Sequence, residues 1–123
     1  MEKNIFEQIR DGQAPANIVY QDEHVTAFDD KDPSAPIHIL IIPNKKISSL
    51  NEIEDQDSLY LSKILLSAKE IAKRSGIHDT GYRLITNCGF DGGQEVDYLH
   101  FHLVGGLKLG KMLSLSKDSK KKF

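Results

Sequence analysis

The run Tyr98-Leu-His-Phe-His-Leu-Val104 constrains the fold more than any other part of the chain. Side chains alternate between the two faces of a strand. Tyr98, His100 and His102 therefore share one face, and Leu99, Phe101 and Leu103 share the other. Such a strand belongs in a sheet with one side packed on a core and two neighbouring imidazoles on the other. Core packing gives no reason to place two imidazoles together. A site that handles phosphate does, because imidazole serves as nucleophile or hydrogen-bond donor near neutral pH.

The remaining sequence supplies partners for that strand. Ile37–Ile42 is β-branched and largely apolar, which predicts a central strand. Asn17–Gln21 and Val25–Phe28 flank a polar turn and read as a hairpin, and Tyr82–Thr86 reads as a further strand. Strand character in the histidine run is predicted over Val96–Val104, stopped by Gly105-Gly106. Asn4 with Glu7 three residues on suggests a capping box for a short helix, Asn4–Arg10, with Ile5, Phe6 and Ile9 on its apolar face. The one long helix is predicted over Asp55–Ser75. Leu61, Ile64, Leu65, Ala68, Ile71 and Ala72 form its buried stripe, and Gly76 ends it. The order helix, three strands, helix, two strands implies an α+β domain: a five-stranded, mainly antiparallel sheet with the helices on one side.

A chain of 123 residues suits a single domain, and a net charge of -2 offers no basic field to attract nucleic acid. The single cysteine, Cys88, excludes an internal disulfide framework. The start of the chain lacks the apolar run of a secretory leader, and the longest apolar run, Ile37–Pro43, is too short to span a bilayer. These features predict a cytoplasmic protein without membrane or nucleic-acid partners. His24 and His78 fall in turns and read as solvated. The lysine-rich end, including Lys120–Lys122, reads as a polar tail that is frayed or held by a partner.

The chemistry concentrates around Asn87-Cys-Gly-Phe-Asp-Gly-Gly-Gln94, which immediately precedes the histidine strand. Glycines let backbone N–H groups converge on an anion. This loop joins strand to strand, so it is neither a Walker loop nor a dinucleotide-binding turn. His38, His100 and His102 also allow a zinc reading, since three neutral imidazoles leave an open coordination position. Against that reading, a metal on His100 would occupy the lone pair needed for attack.

The segment Gly92-Gly-Gln-Glu-Val-Asp-Tyr-Leu-His-Phe-His-Leu-Val-Gly-Gly106 resembles the signature of the histidine-triad (HIT) family. Ile5-Phe6, Pro15-Ala16, Ala27-Phe28 with Asp30, Ala35–Pro43, Gly81-Tyr-Arg-Leu84 and Asn87 follow the order and spacing of its Hint branch, with a bacterial character. The resemblance implies a HIT domain over residues 4–112, a tail over 113–123 and a homodimer joined sheet edge to sheet edge. It implies hydrolysis of nucleoside 5′-phosphoramidates or related nucleotidyl conjugates through a nucleotidyl-histidine, with no metal or other cofactor and an AMP-like purine nucleotide as ligand. In that scheme His100 is the nucleophile, His102 polarises the phosphate oxygens and His38 is an accessory histidine. Asn87, Gly93, Gln94, Glu95 and Val96 hold the phosphate and leaving-group region. Asp30 takes the ribose hydroxyls, and Ile5, Phe6, Ile9 and Phe28 enclose the base.

Two positions depart from the family pattern. Tyr98 replaces the first histidine of the triad. It keeps the backbone carbonyl that orients the nucleophile but alters the side-chain link to His38, and a phenol cannot shuttle protons at neutral pH as imidazole does. Lys31 replaces an apolar residue beside the base. The alternative to a hydrolase is accordingly a nucleotide-binding scaffold whose catalysis Tyr98 has weakened or removed.

Overall fold

The computed structural model describes residues 3–116. The predicted tail at 117–123, with its lysine cluster, lies outside the described residues. The elements run α1 (Ile5–Arg10), β1 (Ile18–Gln21), β2 (Val25–Asp29), β3 (Ile37–Pro43), α2 (Ser58–Arg74), β4 (Tyr82–Thr86) and β5 (Phe101–Gly105). The strands form one antiparallel sheet in the order β1-β2-β3-β5-β4. The β-branched β3 is central, as its composition predicts. The histidine strand β5 lies between β3 and β4, so both of its edges are paired.

The sheet is covered on both faces, and the helices lie on opposite sides rather than on one. Val25, Ala27, Ile39, Ile41 and Leu103 pack against Ile64, Ala68, Ile71 and Ala72 of α2. Phe28, Leu40, Ile42 and Tyr98 face the other way, against Phe6 and Ile9 of α1. The period-two alternation of β2 and β3 is apolar on both phases, so each face needs its own cover. The short α1 caps one end of its face and leaves the rest open for the site.

The ends of the elements follow local chemistry. Asn4 caps α1 through the expected box: its side chain accepts from Glu7 N–H at 3.0 Å, and Glu7 accepts from Asn4 N–H at 3.2 Å. The predicted start of α2 at Asp55 is replaced by two 3-10 turns, Leu50–Glu52 and Asp55–Asp57. The Asp57 carboxylate is drawn to Lys45 Nζ at 2.5 Å and Glu54 N–H at 2.9 Å, and the regular helix begins after it. On α2 the buried stripe includes Ser67, which hydrogen-bonds to Ile64 O, whereas Leu65 faces solvent. At 100° per residue Leu65 turns away from the sheet that Ile64 faces. Gly76 follows the helix at φ +79°, the left-handed exit a glycine permits.

Strand character in the histidine run begins at Phe101 rather than Val96. Upstream, Tyr98 N–H donates to Val96 O and Leu99 N–H to Ile47 O, contacts that replace a sheet ladder. The alternation of faces persists: Tyr98 and His100 turn toward α1, and Leu99 is buried. His24 is half-buried with its ring edge-on to Tyr60, in place of the expected solvated position.

Candidate active site

Register places the imidazoles. His102 on β5 lies opposite Leu40 on β3, and Val104 lies opposite His38. His38 is therefore the diagonal neighbour of His102 on the same face. Their rings approach with His38 Nε2 2.9 Å from His102 Nδ1. The His100 ring centroid lies 5.0 Å from that of His102 and 4.9 Å, edge-on, from that of Phe6 of α1.

Fixed partners set the protonation of all three rings. The Tyr98 carbonyl can only accept, and it lies 2.6 Å from His100 Nδ1, so that nitrogen carries the proton and Nε2 keeps its lone pair. Ser34 N–H donates to His38 Nδ1 at 3.0 Å, which places the His38 proton on Nε2. That proton points to His102 Nδ1, leaving the His102 proton on Nε2. One ring thus keeps a free lone pair on Nε2 and its neighbour carries an N–H there. Burial lowers the pKa of His100, and burial with the neighbouring His100 and His102-facing His38 charges lowers that of His102 to about 4. Both are neutral at pH 7.

The rings open into a cleft of about 940 Å³ between α1, the β2–β3 loop and the glycine loop. Among the predicted site residues, Ile5, Phe6, Ile9, Phe28, Asp30, His38, Asn87, Gly93, Glu95, Val96, His100 and His102 line it. One end is apolar and the other carries the histidines. Asp30 stands at the rim with Oδ2 3.4 Å from His38 Nε2. Pro15, Ala16, Asn17, Ser34 and Leu40 also line the cleft, as does Lys31. The role of Ser34 had no signal in the sequence because it acts through its backbone N–H, which every residue but proline possesses.

Two predicted residues sit elsewhere. Gln94 does not line the cleft: its side chain braces the loop, accepting from Gly89 N–H and donating to Ser48 O and Val96 O. The Tyr98 ring is fully buried outside the cleft, its hydroxyl donating to Pro43 O, so only its carbonyl serves the site. Burial raises the phenol pKa and keeps that donor protonated. The link between this side chain and His38 that the family pattern suggested is therefore absent in this structure.

The glycine loop is held from within. Asn87 Nδ2 donates to Gly92 O at 2.7 Å, Gly93 N–H to Phe90 O and Gln94 N–H to Gly89 O. Gly93 thus contributes its turn at φ +82° rather than a free N–H. Among the described residues, the N–H groups of Glu95 and Val96 have no protein partner.

Asp30, His38 and His102, rather than His38, His100 and His102, form the group with metal-compatible spacing, their ligand atoms within 4.8 Å. The Ser34 N–H opposes that use, because it holds the proton on His38 Nε2, the nitrogen facing the group. Within residues 3–116, no helix is long and apolar enough to cross a membrane.

A sheet of this order with one imidazole on β5, a second just ahead of it and a third on β3 has the arrangement of a histidine-triad protein, and comparison with known proteins agrees. The HIT domain family model matches residues 11–109, and the chain belongs to that family. It is similar to the purine nucleoside phosphoramidase of Escherichia coli K12, with 47% identity over 92% of this chain and 95% of that protein. An uncharacterised HIT-like protein of Buchnera aphidicola is 51% identical over 88% of this chain and 95% of its own length. Among solved structures, a HIT family hydrolase from Clostridium thermocellum superposes with a TM-score of 0.88 at 43% identity, covering 92% of this chain and 99% of that one.

Proposed function

We propose that the protein hydrolyses nucleoside 5′-phosphoramidates, or related nucleotidyl conjugates, by covalent histidine catalysis. The observation that carries this reading is the tautomer set: Tyr98 O holds the His100 proton at Nδ1 and leaves a lone pair on Nε2. His100 Nε2 attacks the α-phosphorus, and the P–N bond breaks with its electron pair going to nitrogen. A substrate protonated on that nitrogen releases a neutral amine, so attack needs no further proton. The resulting imidazolium keeps its Nδ1–H on the Tyr98 carbonyl, which stabilises the positive ring. Water then cleaves the Nε2–P bond, returning the pair to the ring and yielding the nucleoside monophosphate and a proton.

The other residues bind and orient. His102 Nε2–H and the Glu95 and Val96 N–H groups face the phosphate oxygens, with Asn87 beside them. Asp30 accepts from the ribose hydroxyls, and Ile5, Phe6, Ile9 and Phe28 take the purine. The similarity to the E. coli phosphoramidase supports this class of substrate. The catalytic reading is favoured over a binding-only scaffold because the Tyr98 side chain lies outside the cleft and its carbonyl is in place. The unit carrying this function spans residues 4–112, with the following residues as an appended tail. Two such units pair through the open β4 edge into a cytoplasmic homodimer.

The test is release of AMP from adenosine 5′-phosphoramidate in the presence of a chelator, beside His100→Ala. The expected result is turnover that the variant loses by about a thousandfold or more, as removal of a covalent nucleophile implies. AMP binding without turnover in the unmodified protein would overturn hydrolysis in favour of a scaffold.

A further inference from the structure

The Tyr98 side chain makes contacts that neither packing nor the reaction itself requires. Its hydroxyl uses both of its capacities: it donates to Pro43 O at the end of β3 and accepts from Arg10 Nη1 at 3.4 Å. The same Arg10 nitrogen donates to Asn44 O at 3.1 Å. Arg10 ends α1, the helix whose Phe6 contacts both Tyr98 and His100. The carbonyl of Tyr98 meanwhile holds His100 Nδ1 at 2.6 Å. One residue thus ties the nucleophile's handle to β3 at its ring and to α1 through Arg10.

We propose that the Tyr98 hydroxyl, anchored between Pro43 O and Arg10, is a positioning device that fixes the carbonyl holding His100 in its Nδ1–H tautomer. The inference rests on the reading of His100 as nucleophile for its kinetic consequence alone. The local physics is direct. Upstream of Phe101 the backbone has no sheet ladder; the peptide that carries the Tyr98 carbonyl is held on its N–H side by the bond from Leu99 N–H to Ile47 O, and the Tyr98 side chain supplies the second anchor of that unit. A rigid ring with a bonded tip supplies such an anchor where a freely rotating side chain would not. Histidine here would not substitute, because an imidazole ends well short of the position of the phenolic oxygen. The tyrosine is therefore a different solution to holding the carbonyl, not a lesion in the site.

The experiment compares the full chain with Tyr98→Phe, Tyr98→His and Arg10→Met by two readouts. Long-range ¹H–¹⁵N spectra of the imidazoles report the His100 tautomer, and steady-state kinetics on adenosine 5′-phosphoramidate report turnover. Tyr98→Phe keeps the ring and removes the anchor. It is expected to mix the Nε2–H tautomer into His100 and to lower kcat about three- to tenfold with KM within about twofold, as loosened positioning does. Arg10→Met, which leaves the phenol and its bond to Pro43 in place, shifts both readouts the same way by less. Tyr98→His does not exceed the parent in kcat. An unchanged His100 tautomer in Tyr98→Phe, or a gain of turnover in Tyr98→His, overturns the proposal. If the parent protein proves inactive, the hydrolase reading fails, and the tautomer spectra still decide this inference.

Discussion

His100 and His102 both release their protons more readily than a free imidazole, whose pKa is 6.5, because burial disfavours the charged ring. The consequence for activity has a definite sign. The nucleophile must be neutral, so kcat/KM, corrected for the protonation of the substrate itself, is expected to stay flat from pH 8 down through about 6.5 and to fall only in more acidic solution, where His100 becomes protonated. A profile whose acid limb lies above that value would contradict a buried neutral nucleophile. Stability follows the same groups. The unfolded chain takes up a proton on His102 near 6.5, whereas the folded chain resists until about 4. The unfolded state binds more protons in that window, so stability is lost as pH falls through it and is complete above it. Thermal melts across that range check this directly.

Among the structural elements, the glycine loop and α2 answer to different constraints. A Cβ on Gly92 would lie 2.3 Å from the Cys88 carbonyl oxygen, a clash with backbone that no rotamer relieves. Gly92→Ala must displace the loop that presents the Glu95 and Val96 N–H groups. A loss of about tenfold or more in kcat/KM is expected, from misplaced phosphate donors. The melting temperature should move little, because the loop is outside both core clusters. Ile64 on α2 is the opposite case. It is fully buried against the sheet, and Ile64→Ala should cost about 2–5 kcal/mol of stability by leaving a cavity. Its folded fraction should turn over at the parental rate, because α2 covers the face away from the cleft. Chemical denaturation with parallel activity measurements separates the two outcomes.

For the molecule as a whole, β4 leaves one sheet edge unpaired while α2 exposes Leu59, Leu65 and Leu66 to solvent. An open sheet edge invites pairing with a second copy of the chain, and the exposed leucines of α2 offer apolar surface of their own. Light scattering at micromolar concentration is expected to report twice the 13.8 kDa chain mass. A single-chain mass across the accessible concentration range would remove the dimer.

Much of this was readable in advance, for a physical reason that also marks where reading stopped. Period-two alternation determined that His100 and His102 share a face, and β-branching made Ile37–Ile42 the central strand. The capping box at Asn4 and the 3.6-residue stripe on α2 are likewise local signals, legible wherever i, i+3 and i+4 neighbours suffice. Sequence alone placed Leu65 in the core, because a leucine at helical spacing matches the stripe; the sheet's actual position selected Ser67 instead. The helices' opposite faces, the diagonal pairing of His38 with His102 and the direction of the Tyr98 ring depend on contacts distant in sequence, 64 residues apart for His38 and His102 and 55 for Tyr98 and Pro43. The His102 tautomer, set by His38 across that register, depends on them as well. The contacts of Ser34 N–H with His38 and of the Tyr98 carbonyl with His100 span only four and two residues, yet backbone groups make them and carry no residue-type signature; the second was expected from the family resemblance alone, and the path the fold imposes on the backbone decided both.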